Sequence, residues 1–178
     1  SVGLIQASHA FYYGFANLTW ARQGVPHGLF GVLWGVGVAV EVGFLWFLEP
    51  WRQRVGAERL VIWGGLGGVV RWTCLAFSPP LWLLFPIQAL HTLTFAACFM
   101  GGLQLIQRLS PAASASAAQT LSSALSGGLL IGAATSLSGV LYDRIGALGY
   151  LAMTGLCLLG VAGAMAIGPL ERRRASPP

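Results

Sequence analysis

Apolar residues fall along this chain in six blocks, at approximately 2–20, 30–48, 60–77, 81–103, 117–141 and 148–169. Each is close to the roughly 20 residues that a helix needs to cross about 30 Å of hydrocarbon. The breaks between them, "RQGVPHG", "EPWRQRVGAER", "SPP", "RLSPAASAS" and "YDRIGALG", carry the Pro, Gly and charge that end helices. The pattern predicts an all-α membrane protein with a six-helix transmembrane bundle over residues 1–170 and a cytoplasmic tail, "ERRRASPP", at 171–178. The first block is not a signal peptide: it lacks a basic start and contains His9, Tyr12, Tyr13 and Asn17. Because Ser1 opens directly into the first block, the chain is expected to be part of something longer.

Composition agrees with a membrane setting. Of 178 residues, 56% are hydrophobic and 8% charged, too few charges for a water-facing surface. All ten basic residues are Arg and the formal charge is +5, yet they punctuate the apolar blocks instead of forming a nucleic-acid patch. With the first residue placed in the cytoplasm, Arg52, Arg54, Arg59, Arg108, Arg172, Arg173 and Arg174 are cytoplasmic, and only Arg22 and Arg144 lie outside. That bias puts both termini inside. Cys74, Cys98 and Cys157 lie within the blocks without CxxC spacing and read as small buried apolar residues. Trp20, Trp51 and Trp82 fall near block ends, where indoles anchor to interfaces. Glycine pairs Gly31/Gly35, Gly64/Gly68 and Gly128/Gly132 read as helix-packing surfaces.

Arg71 stands out in "GGLGGVVRWTC". A central Arg costs about 2.5–3.5 kcal/mol on insertion-based scales, so it needs partners and an inward-facing position. Glu41 is the carboxylate inside an apolar block, and His9 and His91 are the histidines deep in blocks. At about 1.5 Å per residue, His9 and Glu41 lie roughly 10 Å from the cytoplasmic face, and Arg71 and His91 roughly 15–16 Å in. The four share one slab, as a polar cavity requires. His9, Tyr13, Asn17 and Trp20 form one helical stripe flanked by Tyr12; Gln88, His91, Thr92 and Phe95 form another.

"SHAFYYGFANLTW", Glu41 in "VAVEVGF", "GGVVRW" and "ALHTLTF", in this order, resemble the C-terminal half of a major facilitator superfamily transporter, in the phenylpropionic acid permease group close to the oligosaccharide–proton symporters. "GVLYDRIGALGY" resembles the motif between the last two helices. The resemblance implies that the six helices form one half-bundle, helices seven to twelve, of a permease in a bacterial inner membrane. It also implies that Glu41, Arg71 and His91 take part in substrate binding and proton coupling. Such relatives carry a proton-exchanging Glu where this chain has Thr94, so Glu41 or His9 is expected to take that role, His because it titrates near neutral pH.

The expected function is therefore proton-coupled symport of a small organic solute, an aromatic carboxylate. Arg71, His91, Tyr12, Tyr13, Asn17, Trp20 and Gln88 bind it, and Glu41, His9 and His91 handle protons. Empty, Arg71 is expected to be held by Glu41 and His91; loaded, by the substrate. Expected partners are the substrate, protons, the bilayer, and either an N-terminal six-helix half or a second copy, with no nucleic acid. Neither cofactor nor metal is expected, and His9, Glu41 and His91 show no HxxxH or HExxH spacing for an enzyme. The alternatives are a non-transporting scaffold or sensor, and a sugar or nucleoside symporter half.

Overall fold

Helix runs through all six apolar blocks in the computed structural model, which describes residues 1–167. The expected tail, with Arg172, Arg173 and Arg174, lies outside the described residues. Among the described residues there is no strand. The helices are α1 (Val2–Ala7), α2 (Ala10–Arg22), α3 (Phe30–Phe47), α4 (Glu49–Val55), α5 (Ala57–Ala76), α6 (Leu81–Ala89), α7 (Cys98–Leu109), α8 (Ala115–Ser123), α9 (Ile131–Ile145) and α10 (Tyr150–Met165). A π-helical turn, Leu93–Ala97, precedes α7, and another, Ala124–Leu130, joins α8 to α9.

Among the described residues three helical stretches are long and apolar enough to cross a membrane: His27–Phe47, Leu81–Leu109 and Ala112–Met165. The last covers two blocks and turns at Gly146, whose φ of 58° suits a residue without Cβ. The other two blocks depart from that pattern for physical reasons. The first is broken at Ser8–His9, where Ser8 Oγ donates to the Ile5 carbonyl at 2.6 Å and the His9 amide to the Gln6 carbonyl at 3.1 Å. Such local bonding competes with the regular helix ladder. The third, α5, carries Arg59 and Arg71 among glycines.

Those two polar-bearing segments form the centre. Eleven of the twenty residues of α5 are buried. Gly64 and Gly68 let neighbours close on it from two sides: a Cβ on Gly64 would meet the Leu93 carbonyl oxygen at 2.7 Å, and one on Gly68 would collide with Cys157 Sγ on α10. Aromatic residues fill much of the core, with Trp72 stacked on Tyr150 at 5.9 Å and Phe15 on Tyr142 at 4.4 Å.

The expectation that every glycine pair packs a helix is corrected. Gly31, Gly35, Gly128 and Gly132 face open space, and α8 with the following π-helical turn buries no residue. The interface-anchor reading of Trp20 is corrected too: Trp20 is 1% exposed, inside the bundle, whereas Trp82 is 70% exposed. Cys98 and Cys157 are buried and Cys74 is partly exposed. At the end of the bundle where α5 begins, Arg108 bridges to Glu58 at 2.7 Å and Arg52 to Glu49 at 2.8 Å. At the opposite end Arg22 lies over the Tyr142 ring at 4.8 Å.

Candidate functional site

The Ser8–His9 break directs the His9 ring inward, and α5 carries Arg71 to the same depth. Pro86 inside α6 lacks the amide hydrogen for a regular ladder, and the helix loosens beyond it into the Leu93–Ala97 π-helical turn. That loosened segment presents Gln88, His91 and Thr94 together.

Arg71 is 0% exposed and meets all three. Its Nη1 donates to His91 Nδ1 at 2.9 Å and to Thr94 Oγ1 at 3.2 Å; its Nη2 donates to Gln88 Oε1 at 3.1 Å. The guanidinium also packs over the rings of Tyr12 at 4.5 Å and Trp72 at 4.6 Å, in cation–π contact. Tyr12 is buried and donates its hydroxyl to Gln88 Oε1 at 2.8 Å. Tyr12 and Gln88 therefore position Arg71 from behind.

Glu41 does not hold Arg71 directly, which corrects the expected pairing. Its Oε2 lies 3.4 Å from His91 Nε2, and the imidazole stands between acid and guanidinium. The chemistry of Arg fixes the tautomer. A guanidinium only donates, so His91 Nδ1 accepts, and the ring hydrogen of neutral His91 sits on Nε2, facing Glu41. Carboxylate, imidazole and guanidinium thus form a series across three helical segments. Gly37, one turn before Glu41, brings α3 against His91: a Cβ there would lie 3.6 Å from His91 Cβ.

His9 is also 0% exposed. Its Nε2 lies 3.0 Å from Thr94 Oγ1 and its Nδ1 3.1 Å from the Gln6 carbonyl oxygen. Its ring packs edge-on to Trp72 at 5.2 Å and to His91 at 5.5 Å.

The remaining candidates divide. Tyr13 is 47% exposed and stacks on Trp34 at 6.2 Å; Asn17 accepts a hydrogen bond from Trp34 Nε1 at 3.0 Å. With Glu41, His91 and Phe95, which stacks on His91 at 5.3 Å, they make an aromatic wall on one open side of the bundle. Trp20 is not on it; it lies behind, packed on Tyr12 at 6.0 Å. Thr94, Trp34 and Trp72 were absent from the expected set. Trp34 shares a face with Glu41 seven residues on, a spacing visible in the sequence. Nothing in the sequence distinguishes Trp72 from its neighbours.

Among the described residues no group of three or more His, Cys, Asp or Glu is arranged to hold a metal ion. The arrangement offers a buried cation, an acid–imidazole pair at its edge and aromatic surface beside both. That is chemistry for binding and proton exchange.

Sequence comparison gives the family. The profile of the MFS_1 like family matches residues 1–151. The chain belongs to this family. Its similarity to named members runs across most of its length. It is 30% identical over 145 residues to the "Probable 3-phenylpropionic acid transporter" of Escherichia coli (strain K12), covering 82% of this chain and 38% of that protein. It is 21% identical over 142 residues to the "Uncharacterized transporter YwbF" of Bacillus subtilis (strain 168), covering 80% of this chain and 35% of that one. The chain thus spans less than two-fifths of either relative. No solved structure matches it. The family and both relatives are transporters, not enzymes, and the all-α bundle is a half of the MFS type.

Proposed function

We propose that this chain is the substrate-binding and proton-coupling half of a secondary active transporter, and that its substrate is a small aromatic carboxylate. The observation that carries the reading is the Arg71 cluster. A fully buried guanidinium is retained in an apolar bundle, and its three hydrogen-bond partners are neutral side chains. That leaves its charge available to an anion. The name of the Escherichia coli relative supports an aromatic acid.

Six membrane-spanning helices at the expected blocks, with both termini cytoplasmic, are part of this proposal. So is a partner six-helix half, or a second copy, closing the wall of Tyr13, Asn17, Trp34, Glu41, His91 and Phe95 into a central cavity. There Tyr13, Trp34 and Phe95 take the aromatic body, and the carboxylate engages Arg71 together with the His91 Nε2–H that Glu41 faces in the empty site. A proton on Glu41 removes its negative charge and surrenders that donor to the substrate. Proton and anion then load together, through a coupling free energy.

The test is uptake of labelled 3-phenylpropionate by proteoliposomes carrying the transporter encoded by the full gene. Accumulation driven by an inward proton gradient and abolished by Arg71→Ala is the expected result. Undiminished uptake by Arg71→Ala refutes the role of the cation. Gradient-independent uptake in the unaltered protein refutes coupling.

A further inference from the structure

Thr94 has one hydroxyl hydrogen and three polar neighbours. Arg71 Nη1, at 3.2 Å, only donates. The His91 carbonyl oxygen, at 3.0 Å, only accepts. His9 Nε2, also at 3.0 Å, accepts when bare and donates when protonated. On its far side His9 Nδ1 faces the Gln6 carbonyl oxygen at 3.1 Å, an obligate acceptor, so Nδ1 keeps its hydrogen in either charge state. Neutral His9 therefore presents a bare Nε2, and the Thr94 hydroxyl is the donor within reach. When a proton adds at Nε2, the Thr94 hydrogen turns to the His91 carbonyl and its oxygen accepts from His9. Both arrangements satisfy the group with no heavy atom moved.

We infer that Thr94 is a two-position hydroxyl switch that makes His9 a proton site and ties its occupancy to whether an anion neutralises Arg71. The inference rests on reading this cluster as the substrate and proton site. Thr94 is a positioning residue: it touches Arg71 and His9 and acts through them. Because His9 and Arg71 bond the same oxygen, an imidazolium there stands about 6 Å or less from the guanidinium, and two cations so close repel strongly in a closed interior. A carboxylate on Arg71 cancels that repulsion, so the proton enters His9 as the anion enters.

The groups around His9 are consistent with this order. Arg71 faces it from α5, and His91 from the segment after α6, with Glu41 of α3 beyond His91. Tyr13 lies on its own helix at 5.8 Å. From α10, Cys157 bonds the hydroxyl of the adjacent Ser8 at 3.3 Å. Among the described residues no carboxylate bonds His9, and Arg71 is the nearest charge, through the shared Thr94 oxygen.

The test is ¹⁵N-histidine NMR of the full transporter in lipid, with the His9 signal assigned by its loss in His9→Asn. The unaltered protein is expected to show neutral His9 protonated on Nδ1. Thr94→Val, near in shape but without the hydroxyl, weakens proton binding at His9 by about threefold to tenfold, the difference between a hydrogen bond to the charged ring and one to the neutral ring. Thr94→Ser restores it. Arg71→Gln, which mimics neutralisation, strengthens it by about tenfold or more. A neutral His9 protonated on Nε2, or matching titrations for the Val and Ser variants, overturns the switch. An unchanged His9 titration in Arg71→Gln overturns the link to Arg71. The transport reading fails on a separate readout, the absence of gradient-driven uptake in the unaltered protein.

Discussion

Replacing Glu41 by Gln keeps the size of the side chain and its reach to His91 while removing its negative charge. In the empty site His91 separates the carboxylate from Arg71, with 3.4 Å on one side of the ring and 2.9 Å on the other. A substrate carboxylate engaged by Arg71 and His91 therefore lies roughly 8 Å or less from Glu41. At an effective dielectric of about 20, two like charges at that distance repel by about 2 kcal/mol, or about thirtyfold in affinity. Above the pH at which Glu41 titrates, Glu41→Gln should bind 3-phenylpropionate about thirtyfold more tightly than the unaltered protein. Below that pH the unaltered Glu41 is protonated and neutral, and the two should converge. Equilibrium binding to the purified transporter between pH 5 and 9, at fixed ionic strength, measures the ratio of dissociation constants. A ratio that stays near one at every pH, or weaker binding by the Gln variant at high pH, refutes the placement of Glu41 beside the anion.

Arg71→Lys keeps the charge but not the fork that reaches His91, Thr94 and Gln88 at once; uptake should fall by at least about a hundredfold, measured as initial rate in proteoliposomes. Trp34→Ala removes the stack on Tyr13 and the bond to Asn17. Affinity for an aromatic acid should drop by about threefold to tenfold in equilibrium binding, and because Trp34 also packs on Tyr12 at 4.6 Å, the melting temperature in detergent should fall as well. Gly64→Val forces a side chain against the Leu93 carbonyl and Cys98, costing about 1–3 kcal/mol and several degrees in thermal melting. Gly128→Val, placed in open space within this chain, should leave the bundle's own packing unchanged, and any loss there reports a partner surface.

Much of the architecture was written in the order of residues. Six apolar blocks separated by Pro, Gly and Arg signals imply helices, because backbone groups in hydrocarbon have no other local solution. The cost of burying Arg71 likewise implies partners, and a search of the remaining blocks yields Glu41, His9 and His91 with Tyr12 and Gln88. These inferences need only one-dimensional spacing and transfer energetics, which belong to the residues themselves.

The wiring of the site was decided by the fold alone. Whether Glu41 meets Arg71 or is screened from it by His91 depends on how α3 rotates against the loosened segment after Pro86. Thr94 looked like a lost acid in the sequence; the π-helical turn makes it the junction between Arg71 and His9. Trp20 fits an interface anchor by its position in the chain and a core residue by its 1% exposure. Of three similar glycine pairs, one is packed and two face open space. The reason is common to all four. Composition and period set what a segment must bury, whereas rotation, kink and neighbour choice set which atom it buries it against, and those arise only when the helices close on one another.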